Sequence, residues 1–267
     1  NCWAPMGGAA VFVSGDNYRT DNTSTLQKAE LTMENCIIHN NGVRNKQKNT
    51  VNQWRESAGI IEAVGNATIT MKHCTVVNNV GTVFSAYNHK DGTATISVTN
   101  SAIYSNATDS LTDRTQLKTD GSNLAALYYN GTNGATPTGS NNQIDLLYKT
   151  KGIGDASTDA FKATFGNDRG NDKTYPRFVN PVRTIFVQRN ADDPTLYGGT
   201  IDYTPMNMNP MVNAASVETN EDVTTETDFV LNHRNYGGKP DIGAIENTTQ
   251  PLNGTTYFVR TNGSDSN

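Results

Sequence analysis

Three cysteines, four histidines and one basic stretch beside a tryptophan are the residues here whose types and spacing could carry chemistry. Cys2, Cys36 and Cys74 sit in similar dipeptides, Asn1-Cys2, Asn35-Cys36 and His73-Cys74. Such a set can form a disulfide, hold a soft metal, or line an interior corner as small apolar residues. The stretch Val43 to Ser57, VRNKQKNTVNQWRES, places Arg44, Lys46, Lys48 and Arg55 beside Trp54. An indole face stacks on a sugar ring, and cations meet uronate or sulfate groups, so this pairing suits an anionic glycan. Tyr18 and Arg19, in the polar stretch Ser14 to Gln27, add a second aromatic and cation. His39, His73, His89 and His233 occupy four unrelated contexts, and the chain carries no Ser-His-Asp set, phosphate loop or Cys-x-x-Cys pair.

The elements that must position these residues are written as a repeat. Ala29 to Asn41 (AELTMENCIIHNN), Ala67 to Asn79 (ATITMKHCTVVNN) and Ala94 to Asn106 (ATISVTNSAIYSN) share one grammar. Their columns are Leu31, Ile69, Ile96; Met33, Met71, Val98; Cys36, Cys74, Ser101; and Ile38, Val76, Ile103. Apolar and polar residues alternate between columns, which is the period of a strand. A unit this short cannot bury its apolar side alone and must stack on its neighbours. The columns lie 38 and then 27 residues apart, so a constant unit carries variable insertions. Short apolar strands at Ala9–Val13, Gly59–Ala63, Thr82–Ala86 and Leu124–Tyr129 precede the repeats, and corners fall at Asn35, His73 and Asn100. Three strands and three corners per coil describe an all-β, three-faced parallel β-helix over residues 1–150, right-handed by the crossover rule. A fourth, less regular coil runs through Leu124 and Ile144 to Leu147.

In that register the cysteines become one column, Cys2, Cys36, Cys74, continued by Ser101. Neighbouring in-register strands hold equivalent residues about 4.8 Å apart with side chains parallel, so a ladder of unpaired thiols is expected rather than a disulfide. The chain opens in mid-pattern, and earlier coils are expected before it. Hydrophobic residues make up only 35% of the 267, and the net charge of −5 argues against nucleic acid as a partner. The sequence contains no apolar run long enough to span a membrane.

Beyond residue 150 the repeat dissolves, with a short helix expected at 155–165. The later segment carries Phe178-Val179-Asn180-Pro181, Asp202-Tyr203, Asn209-Pro210-Met211-Val212-Asn213-Ala214-Ala215 and Asp241-Ile242-Gly243-Ala244-Ile245-Glu246. These motifs resemble the C-terminal end of bacterial secreted right-handed parallel β-helix proteins, the group labelled choice-of-anchor Q domain proteins. Asn209, Asn213 and Ile245 depart from the Ser, Asp and Tyr usual in that group. The resemblance implies an irregular C-terminal region, 151–247, that covers the last coil with Phe178, Ile201, Met206, Met211, Val212, Ile242 and Ile245. Asp241 and Glu246 are expected to bind turns and main chain rather than a metal. Residues 248–267 read as a linker, and Tyr257 to Asn267 resembles the opening of a following domain of the same kind.

Parallel β-helices often act on acidic polysaccharides, yet neither a calcium-binding carboxylate cluster with a basic partner nor a set of aspartates with a histidine appears on the repeat. No catalytic residue, metal or cofactor is therefore assigned. The expectation is a secreted or cell-surface domain that binds an extracellular glycan or host-surface polymer, as an adhesin does. Tyr18, Arg19, Arg44, Lys46, Trp54 and Arg55 are the candidate contacts. A fragment of a polysaccharide lyase or glycoside hydrolase, and a structural stalk in a tandem array, are the competing expectations.

Overall fold

The computed structural model describes residues 2–4, 7–15, 27–43, 59–89, 91–108, 124–129, 131–144, 164–168, 178–181, 201–207, 209–217 and 225–249. In chain order the strands are β1 (Trp3–Ala4), β2 (Val11–Ser14), β3 (Ala29–Glu34), β4 (Ile37–His39), β5 (Gly42–Val43), β6 (Ile61–Val64), β7 (Ala67–Lys72), β8 (Thr75–Val77) and β9 (Phe84–Tyr87). They continue as β10 (Thr95–Thr99), β11 (Ala102–Tyr104), β12 (Gly134–Ala135), β13 (Thr138–Ser140), β14 (Asn142–Ile144), β15 (Gly166–Asp168), β16 (Phe178–Asn180) and β17 (Asp202–Pro205). Of the expected helix at 155–165, only Thr164 and Phe165 are described, and both are helical. The protein is all-β.

Three sheets dominate. The first has the order β12-β9-β6-β2, the second β13-β10-β7-β3 and the third β15-β14-β11-β8-β4. Pairing is parallel throughout the second and third sheets, and in the first as far as β9. Each pass of the chain visits the sheets in the same order: β2, β3, β4, then β6, β7, β8, then β9, β10, β11. Register follows the columns read from the sequence: Leu31 pairs with Ile69 and Ile69 with Ile96, while Met33 meets Met71 and Met71 meets Val98.

Alternation decides which side each residue takes. In β7, Ala67, Ile69 and Met71 are buried while Thr68, Thr70 and Lys72 face outward. Ile61, Ala63 and Phe84 from the first sheet, Ile69 and Val98 from the second, and Val76 and Ile103 from the third share one apolar cluster. The chain turns from the second sheet to the third through Asn35, His73, Asn100 and Asn141, at φ of 55°, 49°, 52° and 55°. Asparagine tolerates that left-handed conformation because its short side chain bonds the local backbone. A second left-handed series, Asn40, Asn78 and Ser105, closes the third-sheet strands at φ of 54°, 57° and 53°.

Four expectations are corrected. The first-sheet strands begin two residues late, at Val11, Ile61 and Phe84, and before β2 the N–H groups of Ala10 and Val11 share one acceptor, the Ile60 carbonyl. Leu124–Tyr129 forms only isolated bridges, Leu124 to Ala107 and Tyr128 to Phe84, and a turn at Gly131 to Gly134 then reverses the chain. The fourth first-sheet strand is instead β12, antiparallel to β9. Cys2 does not join the thiol column: Trp3 pairs with Gly42, which sets Cys2 beside Asn41.

The fourth correction concerns the C-terminal region. Its described residues do not sit only over the last pass; they run along the outside of the third sheet and past its corner. Strands β4, β8 and β11 are apolar on both faces, and their outward residues Ile37, Val77, Ala102 and Tyr104 pack against Phe178, Tyr203, Met211, Ile242, Ala244 and Ile245 in a second cluster. A strand buried on both faces is apolar for most of its length, and here only His39 and Thr75 interrupt that, meeting Tyr203 and the Ala244 N–H of the C-terminal segment. Met206, expected inside, is 46% exposed. Among the described residues no helix is long and apolar enough to cross a membrane.

Candidate functional site

The six candidate contacts, Tyr18, Arg19, Arg44, Lys46, Trp54 and Arg55, lie outside the described residues. The bases of the two insertions that carry them are described. Residues 16–26 follow β2, and the N–H of Gln27 closes that base on the carbonyl of Gly15 at 3.0 Å. Gly15 is required there: a Cβ would stand 2.1 Å from the Asn66 carbonyl oxygen. Residues 44–58 lead from β5 to Gly59, whose carbonyl accepts the Gly8 N–H at 2.7 Å. The first insertion therefore leaves past the C-terminal end of β2, and the second runs from β5 to the N-terminal side of β6. Gly15 is level with Gly65, six residues beyond Gly59, about 20 Å if extended. Phe12 lies on β2 between them, 49% exposed.

Beside Phe12 in the same outward row stand Glu62 and Ser85. Both are buried, and among the described residues Glu62 Oε2 and Ser85 Oγ meet no hydrogen-bond partner. Burial pushes the Glu62 carboxyl up to about 8, so it is neutral at pH 7.

A second polar feature lies where the second sheet turns into the third. Glu34, Asn35, Lys72, His73, Glu226 and Thr227 line a cleft of about 230 Å³. Lys72 Nζ stands 4.0 Å from Glu226 Oε1. This volume falls below the range typical of small-molecule pockets.

Behind the cleft the corner residues hold the C-terminal segment. Asn35 Nδ2 donates to the Thr227 carbonyl at 2.7 Å, and His73 Nδ1 meets the Asp241 carbonyl at 3.2 Å. Asn100 Oδ1 accepts from Ser216 N and Oγ, both at 2.9 Å, and Asn141 Nδ2 donates to the Ala214 carbonyl at 2.9 Å. Arg234, fully buried, donates to the carbonyls of Gly243 and Ala244 at 3.0 and 3.1 Å, and also to Asn35 Oδ1. Its Nη1 lies 3.7 Å from Glu246 Oε2.

The carboxylates around Arg234 are committed to main chain, as expected of Asp241 and Glu246. Asp241 accepts the N–H groups of Asn213 and Asn247 at 2.6 and 2.7 Å, and Glu246 accepts that of Asp241 at 2.9 Å. Asp228 takes the N–H of Glu246 at 2.8 Å. Burial pushes Asp241 up to about 6 and, with the Asp241 charge, Glu246 up to about 8. Among the described residues no group of three His, Cys, Asp or Glu could hold a metal ion.

Sequence reasoning missed Arg234, Asp228 and the Phe12–Glu62–Ser85 row. It also missed a ladder at Asn41, Asn79 and Asn106, which were visible as the last residue of every repeat. No family model matches the chain, and neither a curated protein nor a solved structure matches it.

Proposed function

We propose that this chain is a right-handed three-faced parallel β-helix of the secreted bacterial group it resembles, and that it binds an anionic extracellular polysaccharide at the cell surface. The contacts are Tyr18 and Arg19 on one insertion and Arg44, Lys46, Trp54 and Arg55 on the other. The observation that carries this reading is that one insertion leaves past the C-terminal end of β2 and the other ends on the N-terminal side of β6, with Phe12 exposed between them. Insertions of eleven and fifteen residues can reach across that distance. Tyr18, Trp54 and four cations on the insertions, with Phe12 on the strand between their bases, give the composition an acidic sugar chain needs. A stacked, in-register scaffold holds the bases still, which lowers the ordering cost of binding.

The test is a panel of neutral and anionic polysaccharides offered to the whole chain at low and high salt. Selective, salt-sensitive capture of uronate-bearing or sulfated polymers is expected. Equal or absent capture across the panel contradicts the proposal.

A further inference from the structure

We propose that Cys36 and Cys74 are a thiol pair that a hydroperoxide converts reversibly into a disulfide joining the first two passes of the chain. The pair is set by register on both sides. Glu34 aligns with Lys72 and Ile37 with Thr75, so Cys36 aligns with Cys74. Neighbouring in-register strands put such Cα atoms about 4.8 Å apart, inside the Cα window a disulfide spans; with the side chains parallel, the two Cβ atoms must draw slightly together for the bond to close. The main chain is pinned there by Asn35 N–H to Lys72 O at 3.1 Å and Thr75 N–H to Cys36 O at 2.8 Å.

The rest of the column shows why sulfur stands out at these two rungs. At each rung a side chain accepts the backbone N–H of the pass before: Ser101 Oγ takes Cys74 N at 3.0 Å, and Asn142 Oδ1 takes Ser101 N at 2.9 Å. Hydroxyl and amide oxygens do this well, whereas sulfur is a weak acceptor. Only the first two rungs are thiols, and they are adjacent. All three cysteines are free: Cys74 is buried, Cys36 is half-buried and Cys2 is exposed. The thiols are unpaired in the structure, as the ladder reading expects, and a Cys36–Cys74 bridge formed under peroxide overturns the expectation that they stay so.

Cys36 is suited to attack. The neighbouring Cys74 thiol holds it down at about 7, while the same neighbour and burial push the Cys74 thiol up. In the structure Cys36 Sγ donates to the Glu34 carbonyl at 3.2 Å and Cys74 Sγ to the Lys72 carbonyl at 3.3 Å. The Cys36 thiolate attacks one oxygen of the hydroperoxide; the O–O bond breaks, giving a sulfenic acid at Cys36 and an alkoxide that leaves as the alcohol. Cys74 sulfur then attacks Cys36 sulfur, the S–O bond breaks, and the departing hydroxide takes the Cys74 proton as water. Two thiols and one hydroperoxide become a disulfide, an alcohol and water.

The test treats the whole chain with a small excess of hydrogen peroxide, alkylates the remaining thiols and maps the peptides by mass spectrometry. A Cys36–Cys74 linked peptide, lost on adding dithiothreitol, is expected with Cys2 still alkylated. Cys74→Ser keeps a rung oxygen and should leave a dimedone-reactive sulfenic acid at Cys36. Both thiols remaining alkylatable while Cys2 oxidises would overturn the proposal. So would loss of the Cys74 thiol at an unchanged rate in Cys36→Ser.

Discussion

The side chain of Asn106 accepts the backbone N–H of Asn79 at 3.0 Å, one pass earlier in the stack. Asn79 repeats the gesture, its Oδ1 taking Asn41 N at 2.9 Å, and Asn41 Oδ1 takes Cys2 N at 2.9 Å. Each amide also donates: Asn79 Nδ2 reaches the carbonyls of Ile38 and Val77, both at 3.0 Å. Asn79→Ala strips partners from several buried groups at once. The expected loss is about 2–4 kcal/mol, read from urea unfolding midpoints. Asn79→Asp keeps the acceptor and loses the donors, so it should also destabilise; a neutral result for both would refute the ladder.

Asn100 combines a left-handed backbone with a tether to the C-terminal segment, and two substitutions separate these. Asn100→Gly keeps the backbone at φ 52° and loses the bonds to Ser216. Asn100→Ala loses both and should be less stable than the glycine variant by about 1 kcal/mol. The reverse order in thermal unfolding would contradict the corner assignment.

Arg234 is the cation at the centre of the buried cluster, where burial lowers its pKa against the pull of Glu246, Asp228 and Asp241. Arg234→Ala removes the cation facing those carboxyl groups and leaves the Gly243 and Ala244 carbonyls and Asn35 Oδ1 without the donor they have. A loss of about 3–5 kcal/mol is expected. Limited proteolysis should cut residues 225–249 first, while the three sheets keep their circular-dichroism signal.

Stability should fall as pH rises from about 5 to 9. Asp241 is raised to about 6, and Glu62 and Glu246 to about 8, by burial first. An acid with a raised folded pKa binds its proton longer folded than unfolded. Its stabilisation is therefore complete below the unfolded pKa of about 4 and is lost as pH climbs through 6 and 8. His39 works the other way: burial lowers it, so its contribution is lost on acidification below its ordinary value of 6.5. Urea midpoints should decrease from pH 6 to 9, and Glu62→Gln should flatten that slope. A midpoint that rises over this range would contradict the burial of these carboxyls.

Much of the scaffold was legible because it repeats. Leu31, Ile69 and Ile96 announce their column, and asparagine at 35 and 100 announces a corner, since both signals are local. Cys2 was misplaced because its Asn-Cys dipeptide imitates Asn35-Cys36, while pairing of Trp3 with Gly42 decides the register. The path of the C-terminal segment was not legible. It is set by single contacts over long separations, such as Asn100 with Ser216 and Arg234 with Asn35, which leave no period in the sequence. One clue stood in plain view: Ile37, Val77 and Tyr104 put apolar groups on a face that a bare stack would turn to water. Of the candidate site, composition disclosed the aromatic and basic residues, and only the strands show how their bases relate.

The account turns on whether the two insertions bind an acidic polymer. The direct measurement is the affinity of the double variant Trp54→Ala, Arg55→Ala for the polysaccharide the unaltered chain captures best, beside its thermal midpoint. At least a tenfold weaker Kd with an unchanged midpoint is expected, from the loss of one stacking face and one charge-assisted contact, together about 1.4 kcal/mol or more. Unchanged affinity in that variant, with the fold intact, would contradict the claim that these insertions form the binding site.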